Sequence, residues 1–561
     1  MTLASTLRDT VGRHGGRIAF ATVGKEARSL TYDEAWARIM RVCGALRARG
    51  LSKGDRVAVV AENAIEVAVL DWAGYLSGLV MVPIYPTLPA DGTRYIVEDS
   101  GARLVVVDSE KQAAKVSPLL SGGEELGVRG PEPSSDAEPG TQNPNPAPPQ
   151  EEGFAVIQLS DLDAEPYEPD VEIAPEDPCC IIYTSGTTGV PKGAVMPHRA
   201  FLTVANAAAK EIKIGPGDVF LSFLPMSHVY ERVAGQVLPV AVGAEIVYSR
   251  GLAHLRTEMK EVRPTVVLCI PRFLESLRQG ILDKVAKDSP IKQRLFGWML
   301  AQGGKRAKGG FAPFAGLLDT LVAKKVREAA GGRLRYFVSG GAALAPEVGE
   351  FYMATGLTVL QGYGLTETSG GSIVNRPWNN KFWTVGEPLG MEVKLAEDGE
   401  ILMRGPGLML GYHNLPDETA AAIDGDGWFH TGDIGEFEGE NLRITDRKKD
   451  LIVLGNGKNV APQKVEGMLR VSPLVQEAVV LGDGMDYLIA LIVPAEGADE
   501  KAIKREIDAV NKSNAPYEAV KRFALVSEPF TQENGMLTPT LKVKRKAVSE
   551  RYKSEIAGLA R

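Results

Sequence analysis

The sequence predicts an α/β protein of more than one domain, and three features predict it. The chain has 561 residues, more than a single hydrophobic core sustains. Residues 30–120 alternate helical patterns with short apolar strands, the order of βα units on a largely parallel sheet. From Val385 the texture changes to short strands and Gly-rich turns, as in a small barrel, and a shorter unit follows Arg447.

Taken in order, residues 35–49 and 64–79 carry apolar side chains at helical spacing, while 57–60 and 104–107 are short apolar runs that read as strands. Residues 121–153 are rich in Pro, Gly, Ser and Glu and read as a solvated insertion. The βα pattern resumes at Cys179 and runs to about residue 380. No repeat recurs at solenoid periods. The longest apolar stretch, 233–248, is broken by Gln236, Pro239 and Glu245 and falls short of the ~20 residues of a membrane-spanning helix.

Composition narrows the function classes. An apolar fraction of 44% with 24% charged residues suits a globular protein, and a net charge of −8 argues against a general nucleic-acid binder. Four scattered cysteines, Cys43, Cys179, Cys180 and Cys269, read as buried thiols and not as a disulfide or zinc framework. Cys179 and Cys180 are expected on opposite faces of one strand. The first residues lack a basic segment followed by an apolar core, so a cytoplasmic location is expected.

The densest chemical signal lies at residues 183–193. After the apolar run 179–182 come Thr184, Ser185, Gly186, Thr187, Thr188, Gly189 and Lys192, followed by Gly193. Glycines let a backbone approach a ligand, hydroxyls and N–H groups donate to phosphate oxygens, and lysine adds positive charge. This is a phosphate-wrapping loop or, more simply, a flexible turn. It is not the common P-loop, because Pro191 precedes the lysine and Gly193 replaces the magnesium-binding hydroxyl.

Four further constellations bear on chemistry. A strand ending at Ser339 enters Gly340, Gly341 and Ala342, and about twenty residues later Gln361, Gly362, Tyr363, Gly364, Leu365, Thr366 and Glu367 repeat that grammar. A flat base fits between the small turn and the Tyr363 ring; Thr366 offers a donor to phosphate, and Glu367 a hard oxygen for a cation. Asp433 follows a glycine turn, and Arg447 begins the charge run Arg447, Lys448, Lys449, Asp450. Lys542 and Lys544 stand in a basic segment near the C-terminus, and His228 lies in Ser227-His228-Val229-Tyr230-Glu231-Arg232. Alone, each of these last groups reads as a turn, a solvated face or a structural histidine.

Together these motifs resemble, in order and over residues 10–550, the adenylate-forming (AMP-binding) superfamily, and within it the bacterial long-chain fatty acyl-CoA synthetases. The resemblance implies a large N-terminal domain, residues 1–447, of two βα sheets plus a β-barrel, and a small mobile α+β C-terminal domain, 448–561, hinged near Lys449. It implies ATP, Mg2+ and coenzyme A. Thr184 to Gly189, Lys192, Gly340 to Ala342 and Gln361 to Gly364 would bind nucleotide, with Asp433 and Arg447 on the ribose. Thr184 and Glu367 would serve the metal; Lys542, Thr366, Glu367 and His228 would be catalytic. The superfamily's mobile lysine usually follows glycine, whereas Leu541 precedes Lys542 here; long-chain synthetases relax that position. Lys544 is the alternative, and His228 is a gate or a proton acceptor.

The implied chemistry is attack of a carboxylate on the α-phosphate of Mg·ATP, then transfer of the acyl group to coenzyme A. An aryl- or medium-chain-CoA ligase, a ligase loading a separate carrier protein, and a nucleotide-binding regulator without turnover are the alternatives. The expected partners are a fatty acid, ATP and coenzyme A, with no nucleic acid; the chain is compatible with a homodimer. Aromatics interleaved with cations across Arg294, Trp298, Lys305, Arg306, Lys308, Phe311 and Phe314 suit peripheral contact with the inner face of a membrane, or a helix packed on the domain beside a basic loop.

Overall fold

The computed structural model describes residues 1–116, 154–184, 190–307, 309–448, 451–531, 534–537 and 543–560. The insertion expected over 121–153 therefore lies outside the described residues.

The alternation read from sequence becomes two large sheets. A seven-stranded sheet orders its strands Gly411–Tyr412, Lys192–Pro197, Pro178–Thr184, Val80–Ile84, Arg56–Val60, Leu104–Val107 and Ala155–Gln158. Its strands from Pro178–Thr184 onward are parallel, and the first two extend it antiparallel. A nine-stranded sheet has a parallel centre that includes Thr358–Tyr363, Tyr336–Ser339, Val266–Cys269, Val219–Ser222 and Glu245–Tyr248. Parallel strands are buried on both faces, which explains their unbroken apolar runs.

The largest core lies against facing sides of both sheets and takes in the helices Tyr32–Ala48, Ile65–Leu76 and His198–Ile212. A second core covers the far face of the nine-stranded sheet with Pro271–Ala286, Pro290–Ala307 and Pro346–Ala354. The apolar stretch 233–248 divides into a π-helix, Glu231–Val237, a helix turn, Leu238–Val242, and the strand Glu245–Tyr248. Among the described residues no helix is long and apolar enough to cross a membrane.

Cys179 departs from the expected alternation. The register jumps between Pro178 and Cys180, so Cys179 is the extra residue of a β-bulge. Both thiols enter the same core. All four cysteines are buried and free.

The Gly-rich region after Val385 forms a four-stranded antiparallel sheet, Glu392–Leu395, Glu400–Arg404, Phe429–Glu438 and Asn441–Arg447. Beyond it, Val475–Leu481, Leu488–Pro494 and Val520–Leu525 form a three-stranded sheet with cores of its own on both faces. The architecture is mixed α/β, a large N-terminal part followed by a small C-terminal one.

Candidate active site

Thr184, the Gly340–Ala342 turn and Tyr363 lie at the C-terminal ends of central strands, where parallel sheets place their ligands, and Asp433 and Arg447 come from the four-stranded sheet. Strand Tyr336–Ser339 ends in the Gly340–Gly341 turn, and its neighbour Thr358–Tyr363 ends at the Tyr363 ring. Gly341 has φ +82°, a left-handed conformation that suits glycine. A Cβ on Gly340 would stand 3.1 Å from the Tyr230 ring. Gly341 and Ala342 are exposed, leaving the turn open to a ligand.

Tyr363, Asp433 and Arg447 converge from three strands. The Tyr363 hydroxyl donates to Asp433 Oδ2 at 2.6 Å, and Arg447 Nε donates to Asp433 Oδ1 at 2.8 Å. Asp433 and Arg447 are cross-strand partners, so the sheet itself sets their spacing. Burial, with the Asp433 carboxylate alongside, holds the Tyr363 phenol far above its usual range. Gln361 serves another end. Its Oε1 accepts from Leu344 N at 3.1 Å, and its Nε2 donates to Phe382 O at 2.7 Å and Thr384 O at 3.3 Å. Its side chain thus fixes the loops around the turn.

The phosphate end is built on the hairpin of Pro178–Thr184 and Lys192–Pro197, where Thr184 pairs with Lys192. Ser185, Gly186, Thr187, Thr188 and Gly189 lie outside the described residues. Lys192 pairs with Glu418, and its Nζ stands 5.4 Å from the centre of the Tyr412 ring. The Tyr412 hydroxyl donates to Glu367 Oε1 at 2.7 Å. Thr184, Lys192, Tyr412 and Glu367 thus form one polar run, with Thr366 opening the short turn Thr366–Thr368. Sequence reasoning missed Tyr412, which sits on a two-residue strand with no motif around it.

His228 sits on a loop that Asn63 clamps. Asn63 Nδ2 donates to Leu224 O at 2.6 Å, and Met226 N donates to Asn63 Oδ1 at 2.9 Å. His228 Nδ1 accepts from Tyr230 N at 3.1 Å, which puts the neutral ring's proton on Nε2. Glycines let this loop touch its neighbours. A Cβ on Gly370 would lie 2.9 Å from Val229 Cγ1, and one on Gly364 2.7 Å from the Gly370 backbone. Glu231 and Arg232 turn inward. Arg232 Nη1 reaches Asp71 Oδ2 at 2.8 Å and the Tyr75 hydroxyl at 2.7 Å, and Glu231 Oε1 accepts from Ser222 Oγ at 2.6 Å. Burial pushes the Glu231 carboxyl up to about 7.

Behind Tyr230 a narrow apolar cavity opens beside Gly362, Gly370 and Gly371. Val204, Ala205, Ala208 and Ile212 line it from the helix His198–Ile212, and Val233 and Ala234 from the π-helix. Its lining is the apolar kind that encloses a hydrocarbon group. Lys449 and Lys542 lie outside the described residues. Lys544 is exposed, and Arg545 beside it donates to Glu466 Oε1 and Val480 O, both at 2.6 Å.

The Tyr363–Asp433–Arg447 corner, a half-buried carboxylate held by a tyrosine, and an apolar cavity thus come together beside the end of strand Thr358–Tyr363. Residues 7–413 match the AMP-binding enzyme family and residues 449–560 its C-terminal domain. The chain belongs to the AMP-binding enzyme family. The long-chain-fatty-acid–CoA ligase FadD15 of Mycobacterium bovis is 33% identical, over 94% of this chain and 92% of its own. The peroxisomal long chain acyl-CoA synthetase 7 of Arabidopsis thaliana is 32% identical over 96% of this chain and 83% of its own. ATP-bound MatB from Rhodopseudomonas palustris shares the fold, with a TM-score of 0.74 at 24% identity over 99% of this chain and 100% of that one.

Proposed function

We propose that this chain is a long-chain fatty acid–CoA ligase that works through an acyl-AMP. The observation that carries the reading is the meeting, at Gly362 and Tyr363, of the Tyr363–Asp433–Arg447 corner with an apolar cavity. An acid whose chain fills that cavity presents its carboxylate near Gly362 and Gly370, beside the phosphate run.

In the first step a carboxylate oxygen forms a bond to the α-phosphorus of ATP, and the bond to pyrophosphate breaks. In this reading Asp433 and Arg447 hold the ribose, the Gly340–Ala342 turn and Tyr363 hold the base, and Thr184, Lys192, Thr366 and the glycine- and hydroxyl-rich sequence 185–189 supply the donors for the phosphates. Lys542 supplies the cation for charge developing at the α-phosphate, a preorganised electrostatic role. Magnesium fits at Glu367, whose Tyr412 contact fixes the carboxylate; one carboxylate with substrate phosphates and water is the shell it prefers, and when bound it supplies further positive charge. In the second step the coenzyme A thiolate attacks the acyl carbon, and AMP leaves. His228, protonated on Nε2 when neutral, serves as gate or proton acceptor from the loop that leads into Tyr230. The residues from 448 onward form the mobile part, turning near Lys449 between the steps. The same proposal locates the reaction in the cytoplasm, with contact at the inner membrane face.

Thioester formation over a panel of acids tests the reading. Each enclosed methylene adds about 0.8 kcal/mol, nearly fourfold in kcat/KM, until the cavity ends. The expected profile climbs with chain length and levels at or beyond about twelve carbons. A maximum at six carbons or fewer would sink the long-chain reading and leave the adenylation chemistry standing.

A further inference from the structure

The outer face of the seven-stranded sheet carries a cavity that the adenylation chemistry does not use. A separate core covers that face, where Ala58, Val60, Val82 and Val105 meet Ile96 and Val97 of the helix Ala90–Ser100. Beside this core a cavity of about 190 Å³ opens, floored by Val80, Pro178, Ile181 and Val195. At about 30 Å³ per water in the liquid, this is the space of roughly six waters. Gly54 and Gly78 keep the mouth clear of side chains, and Gly54 N donates to Gly78 O at 2.9 Å.

The polar lining leaves one cation for a ligand. Lys53 Nζ is held by Asp177 Oδ2 at 2.7 Å and Glu172 O at 2.8 Å, so the Lys53 and Asp177 charges cancel. Arg56 Nε donates to Gly101 O at 3.1 Å, and among the described residues no carboxylate pairs with its terminal N–H groups. His413 Nε2 meets Asp99 O at 3.1 Å, which puts the ring's proton on Nε2 and leaves Nδ1 as an acceptor. Burial holds the His413 pKa below its usual value, so the neutral ring adds no charge. What remains is a single guanidinium beside an apolar floor. Guanidinium takes a carboxylate through two parallel N–H bonds, and the floor takes a compact apolar body. Inorganic phosphate would leave the floor uncovered, and a nucleotide or a long acyl chain exceeds the volume.

We propose that this cavity binds a small apolar monocarboxylate, a short branched or benzoate-like acid held at its carboxylate by Arg56, and that its occupancy strengthens ATP binding. The link is the hairpin of Pro178–Thr184 and Lys192–Pro197. Ile181 pairs with Val195 in the floor, and further along the same two strands Thr184 pairs with Lys192. Val195 also pairs with Gly411, next to Tyr412, whose hydroxyl holds Glu367. A ligand that binds this arrangement of the strands favours it over others, and this arrangement sets Thr184 opposite Lys192. The binding is independent of the substrate reading; the coupling rests on Thr184 and Lys192 serving the phosphates of ATP.

Titration of the full chain with para-fluorobenzoate, followed by fluorine NMR, tests the site. Wild type should bind the probe with a Kd of about 1 mM or below. Losing hydrogen bonds to a charged group should weaken binding about 10- to 150-fold in R56Q, and V195F, which fills the floor, should bind no probe. Thermal unfolding checks that each variant is folded; Arg56 is only half-buried, so R56Q carries the test if V195F does not fold. With saturating probe the Kd for ATP should fall about fivefold in wild type and hold in R56Q, and ATP should tighten the probe by the same factor. Wild type that binds no probe at about 10 mM, or variants that bind like wild type, would overturn the site. Displacement of the probe by an equal concentration of inorganic phosphate would overturn the apolar-acid assignment. A Kd for ATP indifferent to the probe would overturn the coupling. Wild type that binds the probe and no ATP would instead overturn the nucleotide reading above, and the site would stand.

Discussion

Asp433 is the most heavily committed side chain of the nucleotide corner. Its two oxygens are taken separately, one by the Tyr363 hydroxyl and one by Arg447, and it is 5% exposed. A carboxylate so placed orients both partners before any ligand arrives, which is the preorganisation a binding corner needs. Asp433→Asn keeps the shape but swaps one acceptor oxygen for an amide donor that faces a second donor. A hydrogen bond to a charged group contributes about 1.5–3 kcal/mol, so the KM for ATP should rise about 10- to 150-fold. The KM for the fatty acid should hold, because no wall of the acyl cavity changes. Steady-state titration of each substrate separates the two, and an unchanged KM for ATP would remove Asp433 from the nucleotide corner.

The π-helix Glu231–Val237 shows how one element serves both the cavity and the core. A π-turn sends successive side chains to faces that an α-helix would not separate in this way. Val233 and Ala234 line the cavity, Glu231 turns to Ser222 and Gln236, and Arg232 turns to Asp71 and Tyr75. A Cβ on Gly235 would fall 2.4 Å from Glu231 Oε1, so a larger residue there would push the carboxylate off Ser222 and Gln236. Burial raises the Glu231 carboxyl from 4.5 to about 7. A raised carboxyl favours the folded state at low pH and loses that contribution as pH climbs through the folded value. Glu231→Gln removes the titration. Denaturation midpoints at about pH 5 and about pH 8 should therefore shift in favour of the variant at the higher pH, by about 1–3 kcal/mol. A difference between wild type and variant that does not vary with pH would show that Glu231 is ionised throughout. The same element marks what sequence could and could not disclose. Thr184, Glu367, Asp433 and Arg447 were legible because their motifs are contiguous and their chemistry is local to a turn. Tyr412 and Asn63 were not, since each acts through a strand pairing or loop contact made with residues more than 100 positions away. Val204, Ala208 and Ile212 have the spacing of any buried helix face, and nothing in that spacing separates a packed core from a cavity wall. The bulge at Cys179 left no mark either, because an extra apolar residue does not interrupt an apolar run.

At the scale of the whole molecule the C-terminal unit touches the large part through a compact ionic contact. Arg272, at the start of helix Pro271–Ala286, donates to Glu477 Oε2 at 2.6 Å, and Arg470 of the C-terminal unit donates to Oε1 of the same carboxylate at 2.9 Å. Val471 packs on the second core beside them, and burial pushes the nearby Glu275 carboxyl up. Should the units part, Glu477 keeps Arg470 while Arg272 loses this partner, so the carboxylate is not stranded without a cation. That arrangement suits a domain that rotates between two half-reactions, and it predicts opposite phenotypes for two lysines. On the proposed mechanism Lys542→Ala removes the cation for transition-state charge, a loss of about 3–4 kcal/mol or ~10²–10³ in rate. It should abolish acyl-AMP formation and spare thioester formation from synthetic acyl-AMP. Lys449→Pro fixes φ at the turning point; it should spare pyrophosphate exchange and stall thioester formation. Measuring both half-reactions in both variants gives a crossed pattern if one domain supplies the cation and then withdraws it. Equal losses in the two half-reactions would mean that the domain does not rotate between them. An indifferent Lys542 would pass its role to Lys544, two residues on, whose segment Arg545 fastens to Glu466 and Val480. Normal turnover in Lys449→Pro would move the pivot to another residue of the connection.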